Sequence, residues 1–426
     1  MFRFSGLNRV HTLSSVLSQA RLPHYRRISS RRSLEPQLPT SARYDLIDSS
    51  ILLEEESIPN YRPQRFFPVE IGLIFNDRYR VVGKLGYGAS STVWLCWDLN
   101  SRDYVALKVY SNSPREYREL PIYQHIAKVQ SKHPGRQCLR PVLDSFEAAG
   151  PHGRHFCLVH PPLGMSLYEL KMRARGKVFT KDVLRPCIRQ LLAAVDYLHK
   201  DAHIIHTDLQ PNNLLMGLDD KSVLSQYEKA EVEHPVLRKV LSDRTIYPSR
   251  PLPFTFGPPL LCDLGEARLG DYEHQDDIMP DVYRVPEVLL GMKWGYKVDI
   301  WAVAMVVWDL FEPEYLFDAR VTQGQYDDAS HLAQMIAVLG PPPLDFLTRS
   351  NNYLQYWDVN GNWRGLAPIP DISLEGLEKR LTGNDKEAFL TFLRQMLCWK
   401  PEERPSAGEI IYDPWVLEDL FNSNDG

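Results

Sequence analysis

The eight residues from His206 to Asn213 constrain this chain of 426 residues more than any other segment. They read His-Thr-Asp-Leu-Gln-Pro-Asn-Asn, so that Asn213 follows Asp208 by five positions. A carboxylate in such a loop can accept the proton of an attacking hydroxyl, and the later amide can reach a metal ion on nucleotide phosphates. The spacing therefore indicates a loop for phosphoryl transfer, although one such loop alone is a weak signal.

A glycine-rich turn precedes this loop and begins Leu85-Gly86-Tyr87-Gly88. Glycine backbones can approach phosphate oxygens that a Cβ atom would block. The residues on both sides of the turn are β-branched or aromatic, which predicts that it joins two strands. Taken alone, the pattern is equally compatible with an ordinary glycine hairpin.

A lysine on a short apolar strand follows the glycine turn. The strand reads Val105-Ala106-Leu107-Lys108, and its lysine comes fifteen residues after Val93. A lysine in such a run is usually a charge at a sheet edge. With the glycine turn before it, we interpret Lys108 as a ligand of the α- and β-phosphates.

This lysine needs a carboxylate partner, and the next segment offers two. Ser113 to Glu116 has the signature of a helix start, which makes Glu116 a structural residue. Glu119 is the better partner because an apolar stripe continues behind it on the same helix. Pro121 is expected to kink this helix, since its missing N–H removes one backbone hydrogen bond.

A second candidate metal ligand comes after the loop. Leu260 to Gly265 is an apolar strand that ends in Asp-x-Gly, and its carboxylate is Asp263. A plain strand-to-turn aspartate would look the same. The order of glycine turn, lysine, Asp-x4-Asn and Asp-x-Gly makes that alternative improbable. Three further motifs follow: Val285-Pro286-Glu287, Asp299-Ile300-Trp301 and Arg404-Pro405-Ser406-Ala407.

In this combination the sequence resembles the eukaryotic protein kinases over about residues 75 to 418. Within that superfamily it is most similar to the SR-protein kinases, especially their fungal members. The closer similarity is carried by Phe67–Gly72, Ser91–Asp98, His206–Asp208, Asp263–Gly265 and His331–Gly340. The resemblance implies an α+β bilobal fold. Its small lobe is rich in β-strands and has one helix, its large lobe is mainly α-helical, and ATP binds between them.

The resemblance also implies a role for each motif residue. Lys108 and Glu119 correspond to the ion pair that positions the nucleotide. Asp208 corresponds to the catalytic base, and Asn213 and Asp263 correspond to the ligands of Mg²⁺. The implied activity is that of an ATP- and Mg²⁺-dependent serine/threonine protein kinase.

The same pattern implies the rest of the nucleotide pocket and a structural brace. The ATP-binding residues are then Leu85, Gly86, Gly88, Val93, Ala106, Lys108, Glu119, Pro161 and Leu163. Pro161 offers only its carbonyl to adenine and Leu163 offers its N–H, so the missing N–H of Pro161 removes nothing that is needed. Glu287 and Arg404 correspond to the buried pair that braces the large lobe.

The sequence departs from the kinase pattern beside the catalytic base. Gln210 stands where a lysine usually touches the γ-phosphate, which removes a charge at the transition state. Pro280 stands where a threonine usually bonds that lysine. Together the two changes suggest a rewired and slower site. They leave open a pseudokinase that binds nucleotide with little transfer. A small-molecule phosphotransferase of related fold is the third alternative, against which Glu287 and Arg404 argue.

The activation segment has no residue for the usual phosphorylation switch. From Asp263 to Glu287 there is no serine and no threonine, and residue 207 is threonine where switched kinases have an arginine for the phosphate. The sequence therefore predicts activity without activation-loop phosphorylation. Tyr272 and Tyr283 are expected to pack rather than to signal.

We divide the chain into a catalytic unit and its flanking segments. Residues 1–34 form a basic tail, 35–74 lead into the kinase domain of residues 75–418, and 419–426 form a C-terminal tail. The lobes cover about 75–163 and 164–418, and a spacer insert covers about 217–258. In the insert we predict a helix over Tyr227 to Leu241. We expect Glu54 to Glu56, in the leading segment, to be solvated.

The basic tail resembles a targeting segment. It holds seven arginines and seven serines and no aspartate, glutamate or lysine, and its apolar residues can form one helical face. This composition is typical of a mitochondrial presequence. The alternative is a disordered or nuclear-type basic tail, with the protein in cytoplasm and nucleus.

The net charge of the chain indicates what kind of partner it binds. The whole chain carries −5, and without the tail it has 42 basic and 54 acidic residues, which gives −12. An acidic body suits a basic protein substrate, for which the resemblance implies Arg/Ser-rich sequences. Asp327 and Asp328 are candidates to dock it, or they only favour a helix dipole. We expect no direct nucleic acid binding, no transmembrane segment, a monomer, and six free thiols.

Overall fold

The small lobe is built on one antiparallel sheet. The computed structural model describes residues 44–112, 118–320 and 324–422. Within them six strands pair in the order β1-β2-β3-β4-β6-β5. They are β1 (Ile74–Phe75), β2 (Tyr79–Tyr87), β3 (Ser91–Asp98), β4 (Asp103–Tyr110), β5 (Asp144–Gly150) and β6 (Gly153–His160). The basic tail of residues 1–34 and the expected helix start at Ser113 lie outside the described residues.

The large lobe is mainly helical. After α1 (Glu119–Lys128), which belongs to the small lobe, the helices are α2 (Leu167–Arg173), α3 (Lys181–Lys200), α4 (Ser222–Glu233), α5 (Pro286–Leu289), α6 (Lys297–Phe311), α7 (Asp328–Leu339), α8 (Leu344–Leu347), α9 (Leu374–Leu377), α10 (Gly383–Met396), α11 (Ala407–Ile410) and α12 (Pro414–Asn422). The expected bilobal α+β architecture is confirmed.

Two short strand pairs hold the catalytic loops between the lobes, and a third lies within the spacer insert. They are antiparallel, and their strands are β7 (Ile204–Ile205) with β12 (Arg268–Leu269), β8 (Leu214–Gly217) with β11 (Gly257–Leu261), and β9 (Lys239–Val240) with β10 (Thr245–Ile246). The loop that contains Asp208 runs from β7 to β8, and Asp263 follows β11. Because β11 pairs with β8, the two carboxylates are brought to the same end of that pair.

The core of the large lobe forms around α3 and α6. Every residue of α6 from Val298 to Phe311 is buried, including Asp299 and Asp309. Burial on all sides explains why this stretch is apolar apart from these two aspartates. In α1 the described helix begins at Glu119, so Pro121 falls in the first turn, where no intrahelical N–H bond is needed.

The segment before the catalytic unit is packed, not solvated, which corrects the expectation for Glu54 to Glu56. Lys84 on β2 is fully buried and is bound by Glu54 at 2.7 Å and by Glu55. Glu56 binds Lys239 at 2.9 Å. A buried ammonium without a carboxylate would be strongly unfavourable, so these glutamates are held in place by the lysines they neutralise.

The spacer insert covers the small lobe. Its helix is α4, which ends at Glu233, so the predicted helix over Tyr227 to Leu241 was wrong in its bounds. Pro235 lies two residues after this end and cannot continue the helix. The hydroxyl of Tyr227 donates to the carbonyl of Lys84 at 2.8 Å, and the ring of Tyr247 packs edge-on against Trp94. The insert thereby ties the large lobe to strands β2 and β3.

Two smaller expectations concern cysteines and membranes. All six cysteines are free, and five of them are buried, which agrees with free thiols. Among the described residues, no helix has both the length and the apolar character needed to cross a bilayer.

Candidate active site

The glycine turn joins β2 and β3, as the sequence predicted, and its backbone faces open space. Among the described residues, a Cβ atom on Gly86 would meet no atom within 4 Å, and one on Gly88 would meet only the Ser91 hydroxyl at 4.0 Å. Neither glycine has a positive φ. Neither packing within the protein nor backbone conformation therefore demands glycine here. Close approach of a ligand to the backbone is the remaining reason for both residues.

Lys108 lies at the centre of a charged network below this turn. Its Nζ lies 2.9 Å from Oε2 of Glu119 and 3.1 Å from Oδ1 of Asp263. Glu119 also accepts hydrogen bonds from the hydroxyl of Tyr110 and, at 3.2 Å, from the backbone N–H of Leu264. Helix α1 is thus bound both to the sheet and to the segment that carries Asp263. Tyr110 was missed by sequence reasoning because no motif marks it.

The charges of this network perturb one another. Burial alone would lower the pKa of Lys108, but Asp263 and Glu119 raise it, so the side chain is a stable cation. Burial alone would raise the pKa of Asp263, but the Lys108 ammonium lowers it and keeps the carboxylate ionised. A fixed cation beside an ionised carboxylate is suited to holding phosphate and a divalent metal together.

The catalytic loop presents Asp208 in a shell of neutral donors. Nε2 of Gln210 donates to Oδ1 of Asp208 at 2.8 Å. Nδ2 of Asn213 donates at 2.8 Å to both Oδ2 and the backbone carbonyl of Asp208. Burial raises the pKa of Asp208, while His206 and these amides oppose the rise. The residue that replaced the usual lysine therefore contacts the candidate base directly.

A buried carboxylate fixes the backbone of this loop. Asp299 on α6 accepts the N–H of His206 at 2.7 Å and the N–H of Thr207 at 2.9 Å. Thr207 has a φ of 66°, a conformation that β-branched residues rarely adopt. Its hydroxyl donates to the carbonyl of Glu266 at 2.6 Å. These bonds hold a strained residue next to Asp208, and the Asp-Ile-Trp motif in the sequence was the signal for Asp299.

The donor atoms near Asp208 fit magnesium. The amide of Asn213 spends its N–H groups on Asp208, which leaves its carbonyl oxygen as the ligand atom. The side chain of Asp263 is 46% exposed and keeps an ionised carboxylate. Carboxylate and amide oxygens are ligands that Mg²⁺ prefers. The residues present therefore fit a metal on nucleotide phosphates.

The strand that ends at His160 leads into the segment expected to receive adenine. The N–H of Leu163 has no partner within the described ranges. The carbonyl of Pro161, by contrast, accepts from Nη2 and Nε of Arg140 at 2.9 and 3.2 Å. The backbone of Arg140 bonds in turn to the carbonyl of Leu261 at 2.9 Å. Sequence reasoning missed Arg140 because it belongs to no motif.

Glu287 and Arg404 form the buried pair that was predicted for the large lobe. The guanidinium of Arg404 binds both carboxylate oxygens of Glu287, at 2.7 and 2.8 Å, and both side chains are buried. Arg404 also donates to the carbonyls of Lys297 and Cys398. A bidentate and fully hydrogen-bonded pair of this kind is among the strongest polar contacts that a protein interior can hold.

The two candidate docking residues differ from each other. Asp327 caps α7 by accepting the N–H of Ser330 at 2.7 Å, so the helix itself explains this residue. Asp328 is 43% exposed and lies 3.8 Å from Nη1 of Arg284. Asp277 and Asp281 bind the same arginine at 3.3 and 3.0 Å. Three carboxylates around one guanidinium leave this surface net acidic.

The two tyrosines of the activation segment also differ. Tyr283 is buried, and its hydroxyl donates to Asp309 at 2.7 Å. Tyr272 is 68% exposed, so the expectation that both would pack was wrong for Tyr272. Tyr272 lies in a turn after β12. The backbone then pairs with Trp294 through His274, and the ring of Tyr272 is left in solvent.

Comparison with known proteins identifies the family that these geometries suggest. A family model described as a protein kinase domain matches residues 79–231 and 256–416. A serine/threonine protein kinase of Aspergillus fumigatus is 43% identical over 96% of this chain and 98% of its own. A serine/threonine-protein kinase SRPK of Physarum polycephalum is 30% identical over 88% of this chain and 93% of its own.

Two further comparisons are more distant. SRSF protein kinase 3 of Mus musculus is 23% identical over 91% of this chain. A crystal structure of a kinase domain superposes with a TM-score of 0.65 at 24% identity, covering 83% of this chain and 99% of that one. The superposition supports the fold alone. The gap in the family match, between residues 231 and 256, falls within the spacer insert.

Proposed function

This chain belongs to the protein kinase family, and we propose that it transfers the γ-phosphoryl group of ATP to serine or threonine hydroxyls of protein substrates. The observation that carries the proposal is the convergence of four residues from three separate motifs. Lys108 is in contact with Asp263, and Asn213 is bonded to Asp208. The backbone N–H of Cys262, next to Asp263, donates to the carbonyl of Asn213 at 2.8 Å, so the cation, the base and both metal ligands lie in one cleft.

Each residue has a defined task in this reaction. The turn at Gly86 and Gly88 lets the phosphates approach the backbone, and Lys108 binds them from below. Asn213 and Asp263 would hold Mg²⁺, which supplies charge neutralisation on the phosphates when bound. Asp208 accepts the proton of the attacking hydroxyl, and the amide of Asn213 orients the carboxylate of Asp208.

A phosphate-transfer assay tests the proposal. Bacterially produced enzyme with γ-labelled ATP and Mg²⁺ should label a serine peptide and not its alanine counterpart, and chelation of the metal should abolish the labelling. Nucleotide binding measured in a thermal-shift assay without any transfer would instead establish a pseudokinase. Gln210 and Pro280 are the residues that such an outcome would implicate.

We propose basic, Arg/Ser-rich segments as the preferred substrates. The acidic surface around Arg284 supports this proposal. The three carboxylates of Asp277, Asp281 and Asp328 surround a single positive charge there. Attraction between exposed charges should fade as salt increases. The names of two relatives, an SRPK and an SRSF protein kinase, point to the same substrate class.

Charge reversal at one exposed carboxylate tests this substrate preference. Asp328→Lys should raise the KM for an Arg-Ser peptide about threefold or more at low salt and leave kcat nearly unchanged. Asp327 is not used because it caps α7. Glu387→Lys, on the exposed face of α10, is the matched control. Equal use of an Arg-Ser peptide and an acidic serine peptide would contradict the proposal.

We further propose that activity does not require phosphorylation of the activation segment. The segment lacks serine and threonine, and Thr207 bonds a backbone carbonyl instead of receiving a phosphate. Enzyme treated with phosphatase should keep its activity. A large loss would contradict this, and Tyr272, the exposed tyrosine, would be the first residue to replace by phenylalanine.

We propose mitochondrial targeting for the basic tail, on its composition alone. Residues 1–40 fused to a fluorescent protein should direct it to mitochondria. A diffuse or nuclear signal would favour the cytoplasm and nucleus instead.

A further inference from the structure

Lys84 lies two residues before Gly86, and three oxygens from two other segments surround its buried ammonium. Nζ of Lys84 lies 2.7 Å from Glu54 and donates to Glu55. It also donates to the backbone carbonyl of Tyr247 at 2.9 Å. The glutamates belong to the segment that leads into the kinase domain, and Tyr247 belongs to the spacer insert. An ammonium has three N–H groups, so each of them has an oxygen here. Lys84 therefore joins the leading segment and the insert to one point of β2.

The pairing of β2 with its neighbours in the sheet is irregular around Lys84. The register with β3 shifts between Val81 and Gly83, and it shifts again between Lys84 and Gly86. On the other side of β2, the strand pairing with β1 reaches only as far as Arg80 within the described chain. Interrupted pairing leaves backbone groups of a strand without a ladder partner. The sheet therefore supports β2 less well here, directly before the glycine turn, than at its start.

The insert binds the backbone of β2 at this point. The carbonyl of Lys84 accepts hydrogen bonds from the hydroxyl of Tyr227 at 2.8 Å and from the N–H of Arg250 at 3.0 Å. Tyr227 packs so closely that a Cβ atom on Gly83 would lie 2.6 Å from its hydroxyl oxygen. Tyr87, between the two glycines of the turn, has its ring centre 5.4 Å from Nζ of Lys84. Lys84 thus contacts the insert through its backbone and the turn through its side chain.

The leading segment is fixed against the insert as well as against Lys84. Glu54 has a φ of 41°, a left-handed conformation that residues other than glycine rarely adopt. Its carboxylate accepts the N–H of Ser249 at 2.6 Å and the hydroxyl of Ser249 at 2.9 Å. Such a conformation persists only where the surrounding contacts determine it. The leading segment, the insert and the end of β2 therefore form one connected unit.

We propose that Lys84 is a positioning residue for the nucleotide phosphates, through which the leading segment and the insert hold the glycine turn ready to bind them. The proposal rests on the proposed nucleotide site. A turn that is held in place beforehand loses less conformational freedom when the ligand binds, which raises the affinity. The backbone at Gly86 and Gly88 faces the phosphates and not the base. The effect should therefore be larger for a nucleotide than for a nucleoside.

A comparison of ADP with adenosine tests the proposal, because adenosine has the same base and ribose without phosphates. Both ligands are titrated calorimetrically into the full chain with Mg²⁺. Lys84→Met should raise the Kd for ADP about fivefold or more and the Kd for adenosine less than about twofold. The ratio of the two Kd values is a readout that a loss of stability alone would not move.

Lys239→Met is the matched control for Lys84→Met. Lys239 is also buried, and it binds Glu56 at 2.9 Å and the carbonyl of Ile51 at 3.0 Å. Its polar contacts within the described ranges do not include β2 or the glycine turn. Lys239→Met should therefore lower the temperature of thermal unfolding about as much as Lys84→Met does, and it should leave the ratio of the two Kd values unchanged.

A milder pair of variants tests the same link if Lys84→Met does not fold. Tyr227→Phe removes the hydroxyl that binds the carbonyl of Lys84 and should raise the ratio of the Kd for ADP to the Kd for adenosine about twofold. Tyr104→Phe removes a hydroxyl that joins β4 to the same helix through Glu228, and it should leave the ratio unchanged.

Three results would overturn the role of Lys84. They are an equal rise of both Kd values in Lys84→Met, a ratio that changes as much in Lys239→Met, and one ratio shared by the two tyrosine variants. A wild-type chain that binds neither ADP nor adenosine would instead refute the nucleotide site itself. Because the readout is binding, these outcomes are separate from those of the phosphate-transfer assay.

Discussion

Two clusters of polar side chains lie in the cleft, and they are stabilised in different ways. In the cationic cluster, Lys108 is bound by the carboxylates of Glu119 and Asp263. In the amide cluster, Asp208 is bound by the neutral amides of Gln210 and Asn213. The first keeps full charges in place before any ligand binds. In the second, the side chains that bond the carboxylate are neutral amides.

This difference separates two steps of the reaction. Phosphate groups need a fixed cation, and the cationic cluster provides one, so it should control nucleotide affinity. In the proposed reaction the amide cluster faces the attacking hydroxyl and provides no cation at the transition state, so it should control the rate. Variants of the two clusters should therefore affect different kinetic constants.

The largest effect is expected in the amide cluster. Asp208→Ala removes the proposed proton acceptor, and kcat should fall about 10³-fold or more, while the Kd for nucleotide changes less than about threefold. Single-turnover transfer and calorimetry measure the two quantities. Asp371→Ala, an exposed carboxylate of the large lobe, should change neither. Wild-type activity in Asp208→Ala would show that the base is another residue.

The next largest effect is expected in the cationic cluster. Lys108→Met or Asp263→Ala should weaken Mg²⁺-nucleotide binding at least about tenfold, because each removes a charge that faces the phosphates. Lys221→Met removes a lysine that pairs with Asp103 on the surface and is the matched control. If these variants lowered kcat and left the Kd unchanged, the division between affinity and rate would be wrong.

A smaller effect is expected at residue 210. Its variants separate the hydrogen bond to Asp208 from the effect of a positive charge at this position. Gln210→Met removes the donor to Asp208 and should lower kcat about tenfold. Gln210→Lys replaces that donor with a cation beside the γ-phosphate, and its kcat should equal or exceed that of the wild type. Gln226→Met, on the exposed face of α4, should have no effect. Equal rates for all of these proteins would show that residue 210 takes no part in the transition state.

The smallest effect concerns the hydroxyl that Tyr110 donates to Glu119. Tyr110→Phe should lower the free energy of unfolding by about 1 kcal/mol and weaken nucleotide binding about twofold. Tyr104→Phe removes a comparable hydroxyl, which donates to Glu228 outside the cleft. Tyr104→Phe should lower the stability measured by thermal unfolding and leave the affinity for nucleotide unchanged. The same change in affinity for both variants would mean that Tyr110 acts through stability alone.

The fold could be predicted because its main signals are local. The glycine turn, the apolar strand with Lys108 and the apolar stretch of α6 each announce a type of structure within a few residues. The order of these motifs carried the resemblance to the protein kinases, and that resemblance implied the bilobal fold. Glu287 and Arg404 could be named as a pair, although they are far apart in sequence, because each belongs to a motif.

The residues that could not be predicted act through long-range contacts and lie outside motifs. Arg140 reads as an ordinary loop arginine until the structure places it on the carbonyl of Pro161. Glu54 to Glu56 read as a solvated charge run, because nothing near them in sequence shows that Lys84 and Lys239 are buried. Gln210 was recognised as a substitution, but its hydrogen bond to Asp208 depends on side-chain geometry that spacing does not determine.

The buried Lys84 also constrains the order in which the chain can fold during synthesis. Its carboxylate partners, Glu54 and Glu55, leave the ribosome before it does, but the carbonyl of Tyr247, which it binds at 2.9 Å, follows 163 residues later. All strands of the sheet that contains Lys84 are therefore synthesised long before Tyr247, whose carbonyl Lys84 binds. We expect the small lobe to reach its final stability only after the insert has emerged, although most of that lobe is synthesised first.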